Sequence, residues 1–211
     1  MSHFDLHEQE QISNLRYFWN RGGKYLALLI VIAFFAYFIY VWLNWRSSSE
    51  SSNASQVYAT FIEKANSSDK DKSLLIANQL QNEYPKTEYA SMASILAAKI
   101  TWDKKDIPST IKYLNWTIDN SKDPGLVSTS QLRLADVYID EKKFDKAIQL
   151  MFQKHDPAFD PLFYSKRGDL YVAKGDLTKA RDAYKEALQK AGQDSSMAQG
   201  IQMRLDILGV N

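Results

Sequence analysis

From Tyr25 to Leu43 the chain runs nineteen residues without a charge, an amide or a hydroxymethyl group, and the run continues through Asn44 to Trp45. Wound as a helix at ~1.5 Å per residue, those positions reach about 31 Å, the thickness of a bilayer's hydrocarbon core. Lipid offers no partner to backbone N–H and C=O groups, so such a stretch is confined to a helix that satisfies them internally. Its Leu, Ile, Val and Phe side chains make insertion favourable by about 4–7 kcal/mol. A transmembrane helix is therefore expected over 25–45, with Tyr25 at one interface and Trp42 and Trp45 at the other.

Asp5, Glu8 and Glu10 precede the run, and Trp45-Arg46 stands before the small residues Ser47 to Ser49, a pattern that argues against a cleaved leader. Arg16, Arg21 and Lys24 lie just before the span and Arg46 alone just after it. The positive-inside rule then keeps segment 1–24 cytoplasmic and carries the rest across. In a bacterium this is a single-pass inner-membrane protein with a periplasmic C-terminal domain. The chain has 0 cysteines, which removes disulfides, thiolate metal sites and a cysteine nucleophile together.

Residues 46–55, Ser-rich and without apolar side chains beyond Ala54, read as a flexible linker. From Gln56 onward 22 Lys/Arg balance 21 Asp/Glu, so 56–211 lacks the basic footprint of a nucleic-acid binder. That region consists of paired amphipathic segments with short polar breaks and no alternating strand pattern, which predicts an all-α domain.

Self-comparison supplies the architecture, because a period of about 34 residues marks stacked helix pairs. With Pro161 as the first position of a repeat, Tyr164, Gly168, Tyr171, Gly175, Ala180, Tyr184 and Ala187 occupy signature positions of a tetratricopeptide unit. Leu134, Ala135, Tyr138, Ala147 and Met151 repeat the pattern upstream. A fainter copy holds Ala97, Ala98, Leu114 and Thr110, with Thr101 where an aromatic would be expected, and a degenerate one holds Phe61, Ala77 and Tyr84-Pro85. The tail from Asp194 to Leu208 places Met197, Ile201, Leu205 and Leu208 on one face, as a capping helix does.

Three to four repeats plus a cap make an α-solenoid whose first helices line a concave groove. Its expected protein-binding residues are Met92, Ile95, Lys99, Trp102, Leu132, Asp136, Ile139, Leu162, Ser165, Asp169 and Val172. No catalytic, cofactor-binding or metal-binding set is found, and the protein is expected not to be an enzyme and to need no cofactor. His3, His7 and His155 are scattered, Asp103, Asp106, Asp156 and Asp160 sit where carboxylates cap helices, and Ser67-x-x-Lys70 lies in a polar loop.

The order of motifs also carries a resemblance. Gln11 to Asn20 precedes the span; then come Glu83-Tyr84-Pro85-Lys86-Thr87-Glu88-Tyr89-Ala90, Tyr113-Leu114-Asn115-Trp116 and Lys122-Asp123-Pro124. Leu132-Arg133-Leu134-Ala135, Lys143-Phe144-Asp145-Lys146-Ala147, Arg167-Gly168-Asp169-Leu170-Tyr171 and Lys174-Gly175-Asp176 follow. In this series the chain resembles the bacterial YfgM family, the ancillary subunit of the SecYEG translocon. The resemblance implies a periplasmic adaptor or chaperone that associates with SecYEG and with the membrane-anchored chaperone PpiD. It would act on unfolded or newly translocated polypeptides and carry no catalytic residues. Other readings of an anchored repeat domain are a scaffold for cell-envelope or pilus assembly, an outer-membrane import receptor of mitochondria and, disfavoured by the lack of a catalytic constellation, a membrane-bound hydrolase.

Overall fold

The computed structural model describes residues 16–17, 19–67, 69–192 and 195–209. His3, His7, Asp194 and most of the Gln11 to Asn20 motif lie outside them. The chain divides into two compact units between Glu50 and Ser51.

In the first unit the segment Trp19–Gly23 is kinked at Gly22, whose φ of 143 is a backbone state open to glycine and strained for any L side chain. It leads into helix α1, Lys24–Asn66. None of the apolar window of α1 is buried against protein. Phe34, Tyr37 and Tyr40 are about two-thirds exposed, so the segment has the length and the unpacked apolar surface of a membrane span.

The linker expected at 46–55 is a correction: these residues are helical, within α1. Serine lowers helix propensity by only about 0.5 kcal/mol against Ala, and a helix already nucleated propagates through such a stretch. Ser55 Oγ bonds to the Ser52 carbonyl at 2.7 Å, and Ala54 is fully buried in the core of the second unit.

That unit continues with α2 (Lys70–Glu83), α3 (Glu88–Asp103), α4 (Ile107–Asn120), α5 (Pro124–Asp140) and α6 (Phe144–Met151). A 3₁₀ turn, Pro157–Phe159, precedes α7 (Asp160–Ala173), α8 (Leu177–Ala191) and α9 (Ser196–Ile207). No strand occurs among the described residues. Each helix packs on its successor from α2 to α9, and α3 also touches α5, and α5 touches α7. This second set of contacts is the stacking of repeats: α3, α5 and α7 form the first-helix row, and α4, α6 and α8 the second.

Helix boundaries follow from their caps. Asp106, Asp123, Asp156 and Asp176 each accept a backbone N–H at the start of a helix, at 2.9–3.2 Å, which accounts for most of the loop carboxylates. Between paired helices the same turn recurs. Lys105 (φ 61), Lys142 (φ 56) and Gly175 (φ 80) are all left-handed, and each occupies the same position of its repeat. The next residue donates back to a carbonyl five positions earlier: Asp106 to Thr101, Lys143 to Tyr138 and Asp176 to Tyr171, at 2.8–2.9 Å. Three turns in one register identify the faint copy as a genuine repeat. Its missing aromatic has a substitute, since Thr101 and Thr110 face each other with hydroxyl oxygens 2.9 Å apart in the buried seam between α3 and α4.

The larger core runs from Ala54 and Phe61 of α1 through Ala77, Leu114, Leu134 and Met151 to Phe163 of α7. A smaller core holds Ala180, Tyr184, Ala187, Ile201 and Leu205, with Tyr164, Tyr171 and Leu208 against it. Helix α7 contributes to both.

Candidate functional site

Two adjoining clefts follow the first-helix row of the second unit. The first, about 460 Å³, is lined by Lys99 and Trp102 of α3, Thr110 and Leu114 of α4, and Arg133, Asp136, Val137 and Asp140 of α5. The second, about 450 Å³, takes Leu132, Arg133 and Asp136 of α5, Leu162, Ser165 and Lys166 of α7, and Met197, Gly200, Ile201 and Arg204 of α9. Arg133 and Asp136 belong to both, so the clefts adjoin along α5 and together make up the groove.

Of the residues expected in the groove, Lys99, Trp102, Leu132, Asp136, Leu162 and Ser165 line it. Met92, Ile95, Ile139, Asp169 and Val172 do not line either cleft. Ile95 is 8% exposed and serves packing, whereas Met92 and Val172 are more than a third exposed. Asp169 is taken up by neighbours. It accepts from the Tyr184 hydroxyl at 2.8 Å and from Arg204 at 2.9 Å, and pairs with Lys166 at 3.5 Å. Burial, and then the Asp169 carboxylate, push the Tyr184 phenol well above the usual tyrosine range.

Arg133, Lys166, Met197 and Arg204 are among the groove residues outside the expected set. A signal for two of them existed, because Arg133 and Lys166 occupy the same register position of successive repeats and are both cationic. Met197 and Arg204 enter from α9, whose docking no periodicity specifies. Lys166 bonds to Asp136, joining α7 to α5, and Arg204 donates to Ser165 Oγ at 3.0 Å, joining α9 to α7.

Beside the groove, the α6–α7 connection is pinned from several sides. Arg167 donates to the Met151 carbonyl at 2.8 and 3.2 Å, closing the C-terminus of α6, while its guanidinium lies 4.1 Å from the Phe152 ring centre and 4.6 Å from that of Tyr164. His155 stacks on Phe163 at 3.7 Å, with its ring nitrogens 3.0 Å from the Gln153 carbonyl and from Asp160. These bonds give the histidine a structural place in the loop. No group of His, Cys, Asp or Glu among the described residues has metal-ligand geometry. The arrangement is a groove with an apolar floor and charged walls.

A tetratricopeptide repeat-like domain family matches residues 16–210. Relatives named ancillary SecYEG translocon subunit align along nearly the whole chain. The protein of Neisseria gonorrhoeae is 31% identical over 96% of this chain and 98% of its own length. That of Haemophilus influenzae is 27% identical over 90% and 93%, and that of Escherichia coli K12 is 26% identical over 96% and 97%.

Proposed function

This chain belongs to the tetratricopeptide repeat-like family of the ancillary SecYEG translocon subunits, and from that premise we propose that it holds exported polypeptides beside the protein-conducting channel. The observation that carries the reading is the pairing of one apolar helix, long enough to span a bilayer, with a grooved repeat domain in a chain whose relatives bear the translocon-subunit name along their full length. Arg16, Arg21 and Lys24 before the span favour a cytoplasmic N-terminus and a periplasmic domain.

In this reading the protein is a single-pass inner-membrane adaptor rather than an enzyme. The helix keeps the groove at high effective concentration near the channel exit, so weak contacts with an emerging chain suffice. PpiD is the proposed chaperone partner, and segments of newly translocated polypeptide are the proposed groove ligands. Affinity purification from detergent-solubilised native membranes tests this directly: channel subunits and PpiD are expected to co-purify with the full chain, and recovery of neither would overturn the proposal. A C-terminal alkaline phosphatase fusion is expected to be active, and an inactive one would reverse the topology.

A further inference from the structure

We propose that the α3–α5 half of the groove selects polypeptide segments in which an acidic side chain stands next to an apolar one, with Arg133 as the carboxylate anchor. The proposal rests on the groove being the polypeptide-binding surface. Its basis is the account of charges along the walls. Four cations line the two clefts: Lys99, Arg133, Lys166 and Arg204. Two are already engaged. Lys166 is bonded to Asp136 and lies 3.5 Å from Asp169. Arg204 is held by Asp169 at 2.9 Å and by Ser165 at 3.0 Å.

Arg133 and Lys99 are different. Both are exposed, and neither has an ion pair or a side-chain hydrogen bond with any described residue. Of the two carboxylates lining the clefts, Asp136 is neutralised by Lys166, which leaves Asp140, at the C-terminal end of α5 and two turns beyond Arg133. The open half of the groove thus presents two unpaired cations against one unpaired anion. Its floor between them is apolar, formed by Trp102, Leu114 and Val137. Guanidinium matches carboxylate in a two-bond fork, and a half-enclosed cleft weakens solvent screening of that pair. Trp102 supplies a flat, half-buried surface for the neighbouring apolar side chain. A segment bearing lysine at the same place meets repulsion from both Arg133 and Lys99, so the same walls that attract acid reject base.

The test uses the full chain in detergent micelles and three labelled synthetic peptides that share their apolar residues and differ at two positions, carrying Glu, Gln or Lys. Fluorescence anisotropy is expected to show the Glu peptide binding about tenfold more tightly than the Gln peptide, with the Lys peptide weakest and the differences shrinking as salt rises. The double variant Lys99→Glu with Arg133→Glu changes two exposed, unpartnered side chains, and its unchanged thermal melt checks the fold. It is expected to reverse the order, favouring the Lys peptide. Trp102→Ala is expected to weaken all three peptides. Equal affinity for the Glu and Gln peptides, or an order unmoved by the double variant, overturns acid selection while leaving the groove as a binding surface. No binding by any peptide, or binding indifferent to Trp102→Ala, overturns the groove reading itself and the selection with it.

Discussion

Gly168 of α7 faces the Tyr184 ring of α8 so closely that a Cβ at Gly168 would lie 2.3 Å from the ring carbon Cε1. The contact is between the eighth and twenty-fourth positions of one repeat, and it sets how near the paired helices come. Gly168→Ala is expected to lower unfolding free energy by about 2–3 kcal/mol, the cost of forcing a methyl into a packed seam. Urea unfolding of the variant followed by circular dichroism measures this, and a loss below the experimental error would show that the helices can separate cheaply.

The shared left-handed turn predicts gains as well as losses. Lys105 and Lys142 hold positive φ where the third repeat has Gly175. Replacing either lysine by glycine is expected to raise stability by up to about 1 kcal/mol, because the left-handed state costs a side-chain-bearing residue about that much. Gly175→Lys should cost a similar amount. Thermal melts of the three single variants check the sign of each change.

Arg167 closes α6 through the Met151 carbonyl and is sandwiched by Phe152 and Tyr164. Arg167→Ala is expected to destabilise the domain by about 1–2 kcal/mol, as a lost charge-assisted bond to a buried carbonyl does. Arg167→Lys retains the charge but not the fork or the planar stacking, and should recover less than half of that loss. Hydrogen exchange at the end of α6 provides the local readout.

Acid sensitivity follows from Asp160. The hydrogen bond from Lys190, and after it the one shared with His155, hold this carboxyl below its usual value of 3.8. A depressed carboxyl stabilises the fold above its unfolded value, and that contribution is lost as pH falls through the folded one. Asp160→Asn should therefore show a smaller drop in urea midpoint between pH 7 and pH 3 than the unaltered chain does. Equal drops would mean the pair is screened away by solvent.

Residues 51–60 carry a prediction of their own. Ala54 is buried and Ser55 bonds back to Ser52, so backbone amides there are expected to exchange slowly, alongside those of Phe61. Exchange at the rate of an unstructured chain would restore the flexible linker. Ser52→Pro should destabilise the repeat domain by about 3 kcal/mol by removing one helical bond and clashing with the preceding turn.

The parts of this architecture that the sequence made legible are those governed by size and period. Small residues at Gly168 and Ala180 and rings at Tyr171 and Tyr184 recur because helix pairs can stack in few ways, and the long apolar helix is legible because so unbroken a run of apolar residues leaves few alternatives. The Ser-rich stretch misled because serine is a poor helix former without being a helix breaker, and the helices on either side decide its state. Thr101 stands where an aromatic would be expected, and its pairing with Thr110 depends on crossing geometry that the sequence does not display. The groove was half legible. Lys99, Trp102, Leu132 and Asp136 follow from repeat position alone, but Met197 and Arg204 arrive on a helix whose docking depends on the shape left by α8. Asp169 and Ser165, both expected in the groove, are bonded by Arg204 from that same helix, and only Ser165 lines it.

One wall of the second cleft is the terminal helix itself, through Met197, Gly200, Ile201 and Arg204. Loss of this helix would therefore do two things at once. It would strip Ile201 and Leu205 from the smaller core, and it would release Asp169 and Ser165 from Arg204 and open the cleft along its side. The terminal helix is thus at once a part of the smaller core and a wall of the cleft, so its loss would alter fold and groove together.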